Sequence, residues 1–404
     1  MRMLKCKYCF DWKISLNGFL LLLTVYCGIL ASCSEDDPLP GLTGEKIDYA
    51  LMAFDGSGIS GTATFEERED HSAKVTISLS GTTSGNSHPA HIHLNTAAEG
   101  GDIAINLTNI DGTTGMSVTE ISSMNNGAAI TYDALLAFDG YINVHHSTAD
   151  LSIVSQADIG QNALTGNSKE YSLSEIDESG IEGTATFYER VSGESLVVIA
   201  VTGDAIDSNH PMHIHANTAA EGGSIIITLT NLVNGLSKTN VTQMDNLTTI
   251  SYTQLIAIDG YINIHQSVGD LSVVSQGDVG QNALTGTHVT YTLNEINDSG
   301  LSGTAAFWKR ENNETLVVIE LTGDASDSNH PMHIHANSAA EGGAIVITLT
   351  NVVNGKSKTN VTKKDDMAAI TYDGMIVFDG YINVHNTPGD LSVVAQGDIG
   401  ANAE

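Results

Sequence analysis

From residue 44 onward the chain is written in short alternating runs. In one stretch, Gly183-Thr184-Ala185-Thr186-Phe187 places small or apolar side chains at every second position, the period of a half-buried strand. Leu196 to Val201 is a continuous β-branched and apolar run, which predicts a strand covered on both faces. Further strands are predicted at Tyr171–Leu173, Met212–Ala216, Ser224–Thr230, Gly260–His265 and Leu271–Ser275, divided by Gly, Asn and Asp turns. A single short helix is predicted over Tyr252–Ala257, with Ser251 as N-cap and Asp259-Gly260 as its stop. Seven or eight strands with one short helix predict an all-β domain, and the expected form is an Ig-like or Greek-key β-sandwich.

This pattern occurs three times. His88-Pro-Ala-His-Ile-His93, His210-Pro-Met-His-Ile-His215 and His330-Pro-Met-His-Ile-His335 begin 122 and then 120 residues apart. Gly140–His145, Gly260–His265 and Gly380–His385 follow at a constant 120. A period of that length is a domain, not the turn of a solenoid. The units are placed at 44–165, 166–286 and 287–404. The joints between them are short, so neighbours are expected to touch.

Residues 1–32 read as a leader. Arg2, Lys5, Lys7 and Lys13 precede an apolar run, Phe19 to Leu30, that is short for a membrane span. Leu30-Ala31-Ser32-Cys33 resembles a bacterial lipobox, which implies cleavage before Cys33 and lipidation of that cysteine. The alternative is an ordinary signal peptide cleaved near Ala31. Ser34, Glu35, Asp36 and Asp37 begin a tether over 33–43. They read either as a surface-export tag or as a solvated spacer. The expected location is the outer membrane, held by lipid, facing the cell surface or the periplasm.

All four cysteines (Cys6, Cys9, Cys27 and Cys33) lie in or at the end of this leader. The repeated domains therefore contain no disulfide and no thiolate ligand, and each rests on its apolar core. With 40 glycines, 6 prolines and 5 % aromatic residues, the composition agrees with turn-dense β-structure. A formal charge of −32 opposes binding to nucleic acid.

Twelve of the 15 histidines belong to the repeated motifs; His71, His146 and His288 do not. Residues two apart on a strand share a face, so His213 and His215 project together and Ile214 points to the core. His210 precedes Pro211, whose neighbour is held extended, and it is counted with the cluster. His265 alternates with Ile262 and Ile264 on a later strand. Its ring reaches the same pocket if the two strands are neighbours. The candidate metal ligands are thus His88, His91, His93 and His145; His210, His213, His215 and His265; and His330, His333, His335 and His385. Neutral imidazoles suit zinc or copper. The alternative is that these rings are structural and bond backbone carbonyls. Asn143, Asn263 and Asn383 are candidates for orienting a ligand ring. Glu99, Glu221, Glu341, Asp158, Asp278 and Asp398 are read chiefly as turn caps. No catalytic residue is assigned, because nucleophile-elbow, phosphate-loop, dinucleotide and paired-carboxylate patterns are absent.

Ser179-Gly-Ile-Glu-Gly-Thr-Ala-Thr186, His213-Ile-His215, Gly260-Tyr-Ile-Asn-Ile-His265 and Gly269-Asp-Leu-Ser272 with Gln276-Gly277 occur in the order of the chordin-like (CHRD) domain. The chain resembles that family across all three units. It departs where Ala216-Asn217-Thr218 replaces the usual glycine and where the closing Arg-Gly-Gln is missing. The resemblance implies a secreted β-sandwich module without an agreed activity, and the function expected here is a binding or adhesion module toward an extracellular protein or small ligand. The chain is also distantly similar to the copper half of copper/zinc superoxide dismutases, which implies a metal-binding, redox-capable alternative. The zinc loop and disulfide of those enzymes have no counterpart here.

Overall fold

A computed structural model describes residues 39–206, 208–324 and 328–403. The expected leader, the lipidation site Cys33 and most of the tether lie outside the described residues. The rest is nearly all β. The first unit contains β1 (Leu42–Ala53), β2 (Ser60–Arg68), β3 (Ala73–Ser80), β4 (Ser87–Leu94), β5 (Ile103–Asp111), β6 (Met116–Ile121), α1 (Tyr132–Leu136), β7 (Asp139–His145) and β8 (Ile153–Gly160).

These strands close into a barrel in the order β1-β2-β3-β6-β5-β4-β7-β8. The chain leaves β3 for β4 on the far side and returns through β5 to set β6 beside β3, a Greek-key crossing. Closure is the departure from the expected open sandwich. β1 is long enough to pair with β2 along most of its length and still reach β8, where Met52 faces Gln156 and Ala53 faces Ser155. A closed sheet has no free edge, and the same inward–outward alternation serves sandwich and barrel alike. The third unit is also closed. The second has the same strand order but is open between Ile225–Leu232 and Leu236–Val241, which are joined by the isolated bridge of Val233 to Leu236.

The barrel interior is filled by alternate residues. Ala63 and Phe65 of β2, Val75 and Ile77 of β3, Ile92 of β4 and Ile142 and Val144 of β7 are all buried. The strand Leu236–Val241 has no predicted counterpart. Its sequence, Leu-Ser-Lys-Thr-Asn-Val, carries too few apolar positions to reveal a period. The predicted helix is Tyr252–Leu255, and Ser251 caps it through Gln254 N in a capping box. It stops before Asp259-Gly260, which already begins the next strand.

Successive barrels are bonded through backbone and side chain. Val191 N donates to Ala163 O at 2.9 Å and Ser192 N to Gln161 O at 2.8 Å. The next joint repeats this with Glu311 N to Ala283 O and Asn312 N to Gln281 O. Arg190, buried, donates from Nη1 to Asp158 Oδ2 at 2.8 Å and to Asn162 O, and from Nε to Asn240 Oδ1 at 2.8 Å. Arg310 does the same with Asp278, Asn282 O and Asn360. In the first barrel the matching arginine, Arg68, instead meets Glu120 at 2.6 Å, and Glu120 stands where the other barrels have Asn240 and Asn360.

Candidate metal centre

β4 lies between β5 and β7, and this neighbourhood builds the site. Ile92 faces Ile142 inside the barrel, while His91 faces Asn143 and His93 faces Tyr141 on the outer wall. His145 follows Asn143 by two residues on β7, so its ring joins the same face. The ring centroids of His91 and His145 are 5.3 Å apart, those of His91 and His93 5.9 Å. Pro89, Pro211 and Pro331 sit where the ladder register shifts, so the missing proline N–H costs no pairing.

In each barrel one nitrogen from each of three histidines lies within 4.8 Å of the others. The sets are His91, His93 and His145; His213, His215 and His265; and His333, His335 and His385. Ligands at about 2.0–2.1 Å around a single ion stand roughly 3–4 Å apart, so an ion would draw the rings in by about 1 Å.

The backbone selects which nitrogens point inward. His93 Nδ1 donates to Gly101 O at 2.9 Å, and His145 Nδ1 donates to Leu151 O at 2.8 Å. With the proton committed to Nδ1, each Nε2 presents a lone pair. The second barrel repeats this with Gly223 O and Leu271 O, and the third with Gly343 O and Leu391 O. His93 Nε2 and His215 Nε2 are buried with no hydrogen-bond partner, as are His91 Nδ1, His213 Nδ1 and His333 Nδ1. A buried polar atom without a partner is costly, and a cation is one way to satisfy several at once. Tyr141, Tyr261 and Tyr381 stack on the second histidine of each set at centroid distances of 4.9–5.0 Å.

Burial lowers the pKa of His91, His213 and His333, and the two neighbouring imidazoles of each set lower it further. These rings are therefore neutral at pH 7, the form that ligates metal. Three nitrogen donors, with no fourth protein ligand in the cluster among the described residues, correspond to the open type of site and not to the four-ligand structural type.

The fourth histidine of each unit does not join the triad. His88 Nδ1 donates to His145 O at 3.0 Å, His210 Nδ1 to His265 O at 2.8 Å and His330 Nδ1 to His385 O at 2.9 Å. Each thus holds the backbone of the third histidine of the triad from behind. The shift of register at the proline turns the ring away from the His-x-His face. His210 Nε2 also meets Asp204 Oδ1 at 3.0 Å, and His330 Nε2 meets Asp324 Oδ1 at 3.1 Å. Both ring nitrogens therefore face oxygen acceptors. Burial raises the Asp204 and Asp324 carboxyls. Bonds from serine, a glycine N–H and the histidine outweigh it and leave both below the usual range.

Asn143, Asn263 and Asn383 lie in the wall between the ligands. Each accepts from a glutamine, Gln156, Gln276 or Gln396, at 2.7–2.8 Å. In the third barrel Asn383 Nδ2 reaches His335 Nε2 at 3.5 Å. Glu99, Glu221 and Glu341 cap turns, accepting from the hydroxyls of Thr96, Thr218 and Ser338. Asp158 caps the same turn through Ala97 N at 2.7 Å and carries the joint to Arg190 besides.

Sequence reasoning missed Asp204, Asp324 and the carbonyls that orient the rings. One signal was present: Gly101, Gly223 and Gly343 each fall eight residues after the last histidine of the motif, His93, His215 and His335. A Cβ at Gly101 would stand 2.0 Å from Leu94 O, so only glycine brings that carbonyl onto the ring. No protein-family model and no curated protein matches the chain.

Proposed function

We propose that this chain is a metal-binding protein with one three-histidine site for zinc or copper on the outer wall of each β-barrel. The observation that carries the reading is the convergence of one nitrogen from each of three histidines to within 4.8 Å, in a first-barrel set that includes two rings with a buried, unpartnered nitrogen, His91 and His93, and a third, His145, whose Nδ1 proton is tied to a carbonyl. An inert structural histidine has no need of a neutral, inward-facing lone pair opposite two others. Capture of a metal ion accounts for the site better than adhesion alone, since nothing about adhesion requires oriented tautomers.

On this reading the lipobox-like leader would hold the array at the outer membrane. The motif order supports placing the units with the chordin-like domains. The test is metal analysis of the purified chain after loading with Zn²⁺ or Cu²⁺ and removal of excess. About one metal per barrel, with a raised melting temperature, is expected. Less than about 0.2 metal per barrel with no thermal shift overturns the proposal.

A further inference from the structure

The three sites share their ligands but not their surroundings. In the second barrel Asp245 accepts from Thr228 N at 2.9 Å and Thr228 Oγ1 at 2.8 Å, and Thr228 lies directly across the ladder from His213. In the third, Asp365 binds Thr348 in the same way, across from His333. In the first barrel both positions are amides. Asn125 accepts from Asn106 N at 3.0 Å, across from His91. A carboxylate is thus bonded to the residue opposite the first histidine of the triad in the second and third barrels, and a neutral amide in the first.

A second difference concerns the support of the third ligand. Asp204 and Asp324 fix the far nitrogen of His210 and His330. Thr82 occupies that place in the first barrel, and His88 Nε2 is buried without a partner. His88 is therefore held at one end only while it grips the His145 carbonyl.

A third difference lies in the strand itself. In the second and third barrels the ladder continues past the ligand to Ser267 opposite Asp270 and Thr387 opposite Asp390. In the first it ends at His145 opposite Ile153, and His145 is only half-buried where His265 and His385 are buried.

We infer that the chain carries two classes of metal site. The second and third barrels form a matched, tighter pair for a divalent cation, and the first is a weaker and more exchangeable site, with Asp245 and Asp365 as the residues that set the difference. The inference rests on the metal-binding reading above. A carboxylate beside a ligand favours a doubly charged ion by electrostatics alone, without entering its coordination shell. At an exposed position that effect is roughly 3- to 10-fold in affinity and is weakened by salt.

The experiment is Zn²⁺ competition against a chromophoric chelator, with the full chain bearing paired histidine substitutions that leave one site. His213→Ala with His333→Ala isolates the first barrel, and His91→Ala with His333→Ala isolates the second. The first barrel is expected to bind roughly 3- to 10-fold more weakly. In these backgrounds Asn125→Asp should tighten the first site, and Asp245→Asn should loosen the second. Both changes lie at exposed positions, so they leave the fold intact. Equal affinities, a tighter first site, or no response to Asn125→Asp overturns the two-class inference and leaves the metal reading standing. Absence of Zn²⁺ binding in every variant and in the parent chain removes both.

Discussion

Arg190 of the second barrel donates through Nη1 to Asp158 of the first at 2.8 Å, and the other oxygen of Asp158 accepts from Ala97 N at 2.7 Å. Ala97 belongs to the turn that leads to Gly101, whose carbonyl holds the His93 ring. The joint between barrels is thus in bonded continuity with the loop that orients a histidine of the preceding barrel's triad. The same relationship runs from Arg310 through Asp278 and Ala219 to the Gly223 carbonyl and His215.

Arg190→Ala leaves Asp158 nearly buried and without its cation. Breaking one partner of such a pair costs about 3–5 kcal/mol. The variant is expected to melt at lower temperature and to become cleavable by protease near residues 161–163, where the two joint backbone bonds lie. Arg68→Ala, in the first barrel, loses a pair with the partly exposed Glu120 and not a bond across a joint, and should cost less than Arg190→Ala. Thermal denaturation of the two variants side by side checks the contrast. Equal losses would show that the joint bond carries no special weight.

Acid should act on the triads directly. The pKa values of His91, His213 and His333 are lower in the folded chain than the ordinary value near 6.5. Below about pH 6.5 the unfolded chain therefore takes up more protons than the folded one, and stability falls with pH. The contribution is fully present above pH ~6.5 and is lost as the pH drops toward the depressed folded values. Bound metal should be released over the same interval, because each proton competes with the ion for a nitrogen. Melting temperature and metal content measured from pH 8 to 5 should fall together. A flat profile between pH 7 and 5 would contradict the neutral, buried triad.

Gly223→Ala is expected to damage one site selectively. A Cβ there would stand 1.9 Å from Ala216 O, so the turn must move, and with it the carbonyl that binds His215 Nδ1. The expected cost is about 1–3 kcal/mol in stability. The second barrel should also lose metal affinity by at least ~10-fold, as changes to the groups that orient ligands commonly do. Loading should drop by one equivalent of three, and the signals of His91 and His333 in a histidine-resolved NMR spectrum should stay in place. Full retention of all three equivalents would remove the carbonyl from the list of groups that position the ring.

Much of this molecule was legible in the chain alone. The tandem period, the β-strand alternation, the capped helix at Ser251 and the pairing of His213 with His215 on one face all follow from local rules. Side-chain direction on a strand has a period of two wherever the strand sits. The third ligand could be proposed but not placed, because strand order is a long-range property. Only the tertiary structure sets β7 beside β4 and so carries His145 to His91. Closure of the barrel, the rotation of His210 to the back of its neighbour, and the pairing of Arg68 with Glu120 of its own barrel, where Arg190 and Arg310 reach a carboxylate of the preceding one, were likewise undecided by local pattern. They depend on which backbone groups find partners across distances of fifty residues or more. Such pairing is settled by the whole fold satisfying its hydrogen bonds at once, not by any one stretch of residues.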